Sequence, residues 1–221
     1  PIFQKVKGDA TIKIYGSTGD LRFQKKLVMA SYTEFIGTDR QKENYISTFL
    51  EPADDNGNSY MMFNYKYEPD IKYVYLKGIR KAKKVTGADK RLSFFGSDFS
   101  NGDIGKPDFT ECNYKALADS RMTFKGKDFD CHVIESIPKN EQIVKDTGYG
   151  RKVTYLEKKT LLTLKIEYYD ENKIKTKELS LLSFITRNNV NGKKVYYTTG
   201  LEMKNVKRGT RTELLFSNMR F

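Results

Sequence analysis

Apolar residues in this chain recur mostly at every second position, which is the period of a β-strand with one buried face. Ala10, Ile12 and Ile14 alternate with Thr11 and Lys13. Leu162, Leu164, Ile166 and Tyr168 alternate with Thr163, Lys165 and Glu167. The same spacing runs through 21–35 and 195–203, and β-rich runs fill 44–50, 59–65, 72–77, 113–120, 129–137, 151–157, 174–185 and 210–219. Turn-forming strings separate them. Gly16-Ser17-Thr18-Gly19-Asp20, Lys125-Gly126-Lys127-Asp128, Asp170-Glu171-Asn172-Lys173 and Asn189-Val190-Asn191-Gly192 all read as hairpin loops. Strands joined by short loops pair antiparallel, so the pattern predicts a mainly β meander of about 11 strands. Helix is scarce, because no long segment sustains a 3.6-residue period.

Two features complicate a plain sheet. Segment 179–185 carries Leu179, Leu181 and Ile185 on one face and Leu182 and Phe184 on the other. A sheet with one wet face alternates more cleanly, so the sheet curls or something covers its second face. The second feature is 85–111, an irregular stretch rich in Gly, Ser and Asp that also holds Leu92, Phe94, Phe95, Phe99 and Phe109. So many aromatics predict a flap that packs on the sheet, with at most one or two helical turns. No boundary divides the 221 residues, and one domain over 1–221 with 85–111 as a lid insertion is expected. No apolar run reaches the ~18 residues of a spanning helix. The chain begins at Pro1 with no secretory h-region, and removal of a signal sequence is the expected explanation.

The chemistry-bearing residues point away from catalysis. His132 is the single histidine, and it adjoins Cys131 in a predicted strand, where neighbouring side chains face opposite ways. No Cys–His dyad forms from that pair, and no Gly-x-Ser-x-Gly elbow exists. Gly148-Tyr149-Gly150 opens a strand, not a helix, so it reads as a turn and not as a phosphate cradle. Asp54-Asp55 and Asp170-Glu171 lie in turns, where carboxylates hydrogen-bond backbone. Cys112, Cys131 and His132 are too few for a tetrahedral metal site, so no metal and no cofactor are expected. Cys112 and Cys131 flank a predicted hairpin, and both a disulfide and two free thiols fit that placement.

The net charge is +12, from 40 Lys plus Arg and 28 Asp plus Glu. Between Lys72 and Lys90 lie Lys72, Lys77, Arg80, Lys81, Lys83, Lys84 and Lys90 against Asp89, which is 7 − 1 = +6 in one stretch. Such a cluster suits an anionic membrane surface or an acidic partner, and equally an edge kept soluble by lysine. Tyr73 and Tyr75 alternate with Val74 and Leu76 as in an ordinary strand, so no base-stacking platform is evident and nucleic acid is not expected as a partner.

Several strings resemble one family. They are YISTFLEPADDNGNSYMMF at 45–63, YVYLKGIRKAKKV at 73–85, RLSFFGSDF at 91–99, CHVIESIPK at 131–139, TYLEKKTLLTLKIEYYD at 154–170 and the closing TELLFSNMRF. In order and spacing they resemble the LolA-like group of outer-membrane lipoprotein-sorting proteins over residues 10–221. The resemblance departs at Leu76-Lys77, where the group has Leu-Pro, and the group's N-terminal helix is either lacking or lost ahead of residue 1.

The resemblance implies a half-open, unclosed antiparallel β-barrel around a hydrophobic cavity. It implies a periplasmic, non-enzymatic carrier that binds the acyl chain of a lipid or lipoprotein, for transport towards the outer membrane or as accessory to a membrane lipid transporter. The alternative it implies is an envelope sensor or adaptor that binds a partner protein. The apolar strand residues Ile12, Ile14, Leu27, Met29, Met61, Phe63, Leu162, Leu164, Ile166, Leu201 and Met203 would then line the cavity. Phe94, Phe95 and Phe99 of the flap would touch the ligand, and Asp98 would fix a turn. Lys72, Lys77, Arg80, Lys81, Lys83 and Lys84 would form a basic docking patch near the mouth.

Overall fold

The computed structural model describes residues 5–36, 39–66, 68, 70–105, 108–189 and 192–221. Val190 and Asn191, in one of the predicted hairpin loops, lie outside them. The first half of the chain forms β1 (Lys5–Tyr15), β2 (Leu21–Ile36), β3 (Asp39–Glu51), β4 (Ser59–Tyr65), β5 (Ile71–Leu76) and β6 (Lys81–Lys84). The second half forms β7 (Cys112–Ala116), β8 (Ser120–Phe124), β9 (Lys127–Pro138), α1 (Glu141–Thr147), β10 (Arg151–Glu157), β11 (Thr163–Tyr169), β12 (Lys175–Asn188), β13 (Lys194–Asn205) and β14 (Thr210–Arg220).

All 14 strands belong to one antiparallel sheet, ordered β6-β5-β4-β3-β2-β1-β14-β13-β12-β11-β10-β9-β7, with β8 beside β9. The strand runs read from periodicity number twelve, and two differences account for the rest. The run 113–120 covers β7 and only the first residue of β8, and both strands lie on the same side of β9. The basic run hides β6, whose four residues Lys-Ala-Lys-Lys show no alternation and pair with β5 from Leu76↔Lys81 to Tyr73↔Lys84. One short helix was also invisible to the 3.6-residue test. Asn140 caps α1 by accepting from the Ile143 N–H, and Gly148 ends it at φ 77°. Between β8 and β9, Lys125 and Gly126 both take positive φ, 50° and 75°, as a two-residue hairpin with right-handed strand twist requires.

The topology explains the crossing segment 85–111. The chain starts at the centre of the sheet with β1 and steps outward to the edge strand β6. It re-enters at the opposite edge with β7 and steps back to β14, which pairs with β1 at centre. Segment 85–111 therefore joins the two free edges and has to cross the opening between them.

The sheet is strongly curled. Seven strand steps separate β5 from β12, which is ~34 Å along a flat sheet at ~4.8 Å per strand. Yet Lys72 on β5 donates to the Ile104 carbonyl at 2.7 Å, and Lys177 on β12 meets Asp103, the next residue, at 3.3 Å. Two side chains reaching adjacent residues leave room for far less than ~34 Å. The buried core lies on this concave side: Ala10, Ile12, Leu27, Phe49, Tyr60, Leu179 and Met203 from the strands pack with Phe94 and Phe99 from the crossing segment. The sheet stays open, because β6 and β7 do not pair.

Candidate functional site

The site is the concave face and the segment that occupies it. The lid folds as its own small hairpin. The Phe94 N–H donates to the Phe99 carbonyl at 2.8 Å, the Ser97 N–H donates to the Phe94 carbonyl at 3.0 Å, and Ser93 bridges to Ser100. Phe95 and Gly96 turn the corner at φ 48° and 81°, a conformation in which Gly96 carries no strain. The Ser97 hydroxyl donates to the Phe94 carbonyl at 2.6 Å and locks the turn. The ring of Phe94 meets Tyr60 edge-on at 5.1 Å, and Phe95 sits 4.3 Å from Phe49.

Three polar latches tie this hairpin to the sheet. The first is Asp98, whose carboxylate is buried and accepts from the Thr210 hydroxyl at 2.6 Å and the Thr212 hydroxyl at 2.8 Å. Its own N–H donates to Thr212 Oγ1 at 2.9 Å. The second is Asp103, which accepts from the Tyr149 hydroxyl at 2.9 Å and the Ser100 N–H at 2.8 Å and pairs with Lys177 at 3.3 Å. Burial pushes the Asp103 carboxyl up, but Lys177, Lys152 and the Ser100 N–H together outweigh it, and its pKa lies below the ordinary value. The third is neutral: the Tyr60 hydroxyl donates to the Asn101 carbonyl at 3.0 Å. Burial and the Asp103 charge raise the Tyr149 and Tyr60 phenols, so both remain donors. Lys72 adds a fourth contact at Ile104, and burial lowers its pKa.

A family model of an uncharacterized protein matches residues 41–221. The chain is similar along 99% of its length, at 28% identity and a TM-score of 0.80, to a DUF1329 family protein from Desulfovibrio piger, covering 85% of that chain. The chain belongs to the DUF1329-like family. A lipoprotein-sorting protein domain from Vibrio parahaemolyticus shares its fold at TM-score 0.80 and 22% identity, with 98% of this chain and 85% of that one covered. A LolA superfamily protein from Nitrosomonas europaea shares it at TM-score 0.65 and 17% identity, with 99% and 86% covered. No curated protein matches the sequence. The fold is thus the LolA-like half-barrel.

In this DUF1329-like half-barrel most of the apolar residues read from the sequence face the lid. Ile12, Ile14, Leu27, Met203, Phe94 and Phe99 are buried in one cluster, with Met29, Phe95, Ile166 and Leu201 packed against it. Leu162 and Leu164 belong to a second cluster with Cys131 and Leu181, where the β8–β9 hairpin packs through Met122, Phe124 and Phe129. Met61 and Phe63 do not join them. Tyr60, Met62 and Asn64 are the buried positions of β4, so its alternation turns Met61 and Phe63 to the outer face. There Phe63 meets Tyr73 edge-on at 6.4 Å and Lys42 at 5.5 Å.

The basic cluster divides as well. Lys72 points inward to Ile104 and is not part of a docking patch. Lys83 pairs with Asp89 at 2.8 Å. Lys77, Arg80, Lys81 and Lys84 are exposed along the β6 edge. A polar cleft of about 390 Å³ opens there between Asp54, Asn56 and Asn58 on one side and Lys77, Gly78 and Arg80 on the other. Cys112 and Cys131 are both free: β9 places Cys112 beside Pro138 and Cys131 beside Ser120. Seven residues of extended strand separate those two rungs, ~23 Å, beyond the reach of a disulfide. Sequence reasoning missed Thr212, Tyr149 and Lys177, whose partners lie up to 114 residues away.

Proposed function

We propose that this protein is a periplasmic carrier that takes the acyl chain of a lipid or lipoprotein onto the concave face of the half-barrel, with segment 85–111 as its lid. One observation carries the reading. The concave face is an apolar floor that extends from β4 to β12, and what rests on it is a loop hairpin held by discrete polar latches. A loop hairpin seated by a few directional bonds can leave such a floor without unpairing the sheet. Burying three phenylalanines contributes about 5–9 kcal/mol, at about 1.5–3 each. An acyl chain of about sixteen carbons contributes about 13 kcal/mol, at about 0.8 per CH₂. The ligand therefore outweighs the three rings, and the latches set how much of that excess goes into displacing the lid.

The sorting and LolA-superfamily relatives support both the carrier reading and an envelope location, and the reading assigns no covalent chemistry to the chain. A membrane lipid transporter would load or unload it. The second reading is an envelope adaptor that binds a partner protein, and the occupation of the concavity by Phe94 and Phe99 favours it.

Organic extraction of the protein purified from an envelope fraction, followed by mass spectrometry, separates the two. A co-purifying phospholipid or acylated peptide is the expected result. An empty extract, together with no uptake of a fluorescent fatty acid by either the native chain or an Asp98→Ala variant, would overturn the carrier.

A further inference from the structure

The outer face of the curled sheet has two unlike halves. From β10 to β14 it is laced with ion pairs: Lys165–Glu167 at 3.0 Å, Lys175–Glu167 at 3.1 Å, and Arg211 with Glu202 at 3.3 Å and Glu213 at 2.5 Å. From β2 to β5 its middle is apolar and aromatic, with Glu34, Lys42 and Asn44 towards one end. The register aligns Ala30 with Ile46, Ile46 with Met61 and Met61 with Tyr73, one residue per strand across four strands. Val28, Tyr32, Ile46 and Leu50 on this half are 39, 40, 42 and 46% exposed. Its border is mostly basic, with Asp9 beside Val28 as the exception on β1. Lys7 lies beside Ala30 and Lys5 beside Tyr32, while Tyr73 pairs with Lys84 on the edge strand β6. Arg80, in the turn before β6, adds an exposed cation, whereas Lys81 and Lys83 alternate to the Val74 face.

We propose that this outer half, β2–β6, docks the protein onto an anionic lipid surface. Charge complementarity selects the occupant: the apolar patch meets the interfacial region, and the lysines around it meet headgroup phosphates. Tyrosines with apolar bodies and polar tips suit that boundary. Shape argues against a second copy, because two convex faces touch only along a line, whereas fluid lipid fills in around side chains that splay outward. The surface lies on the far side of the sheet from the lid. The inference does not rest on what occupies the concavity.

The chain contains no tryptophan, so a single introduced indole reports its own environment. Ile46→Trp places one in the patch, and Lys204→Trp places one on the ion-paired half. Vesicles of phosphatidylcholine with about 30% phosphatidylglycerol are compared with phosphatidylcholine alone. The expected result is a blue shift and quenching by brominated lipid for Ile46→Trp with anionic vesicles only, and none for Lys204→Trp. Replacing Lys7, Arg80 and Lys84 by Gln removes three exposed cations without touching the core. It should weaken vesicle affinity about fivefold per cation, the equivalent of about 1 kcal/mol each. Equal response to neutral and anionic vesicles, equal response of both indoles, or a blue shift of Ile46→Trp that tracks self-association without lipid would each overturn the proposal.

Discussion

Replacing Thr212 by Val removes one hydroxyl and keeps the shape of the side chain. Thr212 is 0% exposed and its Oγ1 makes two bonds to one lid residue, donating to the Asp98 carboxylate at 2.8 Å and accepting from the Asp98 N–H at 2.9 Å. A hydrogen bond to a charged group contributes about 1.5–3 kcal/mol, and an orphaned buried N–H costs about 1–3 kcal/mol. Thr210 still donates to the other carboxylate oxygen at 2.6 Å, so the loss stays local. The sum is about 2.5–6 kcal/mol for holding the lid, and its low end alone approaches a factor of ~100 in the opening equilibrium. Native-state amide exchange reads this directly. The Phe94 and Ser97 amides, bonded within the lid hairpin, should exchange ~100-fold faster in Thr212→Val. The amides of β11–β13 should keep their protection. If lid and sheet amides lose protection together, the lid opens only with global unfolding and the latch has no separate meaning. If neither changes, the buried Asp98 does not hold the lid at all.

Further outcomes follow from other contacts. Asp103 has a pKa below its unfolded value, so its contribution is present at neutral pH and is lost as pH falls below about 4 and through the depressed folded value. Urea titrations should show Asp103→Asn less stable than the native chain at neutral pH, with the difference shrinking towards acid. Phe94→Ala should cost about 3–5 kcal/mol of stability in the same titrations while raising uptake of a fluorescent fatty acid, since it empties part of the floor. Burial raises both cysteine pKa values, so native Cys131 should resist a thiol reagent until unfolding, and a reducing agent should leave the melting temperature unchanged.

The strands and hairpins were legible because each half-buried strand writes its faces into the sequence. Where a strand is apolar on both faces the period loses its meaning. Tyr60-Met61-Met62-Phe63 reads equally well in either register, and only the buried pair of Tyr60 with Asn101 shows which side is in. The β6 edge was illegible for the opposite reason. An exposed lysine-rich edge has no buried face to alternate with, and charge is how such an edge avoids pairing with another chain. Lys72 was grouped with those lysines because sequence distance is all that a charge run reports; its place on the inner side of β5 separates it from them. The aromatics of 85–111 announced a packed segment, but not its latches. Asp98 and Asp103 look like ordinary turn residues until topology brings Thr212 and Lys177 to them.

The latches also make physical sense of a lid built from such polar residues. An entirely apolar lid would bind the floor as strongly as any ligand of equal area and would give it no orientation. Hydrogen bonds and ion pairs buried with the lid are directional, and each is exchanged for water when the lid leaves, so their net contribution is about 0.5–1.5 kcal/mol for a neutral pair. Tyr60 makes such a neutral bond, while Thr212, Tyr149 and Lys177 bond carboxylates and contribute more, about 1.5–3 kcal/mol each; together they specify one seat for the hairpin. The apolar contribution then rests on Phe94, Phe95 and Phe99, and in the proposed carrier an acyl chain would exceed it through its length. The edge-to-edge crossing of 85–111 completes the device. Because the segment is anchored at β6 and β7, it can lift from the floor between two fixed ends without unpairing a central strand.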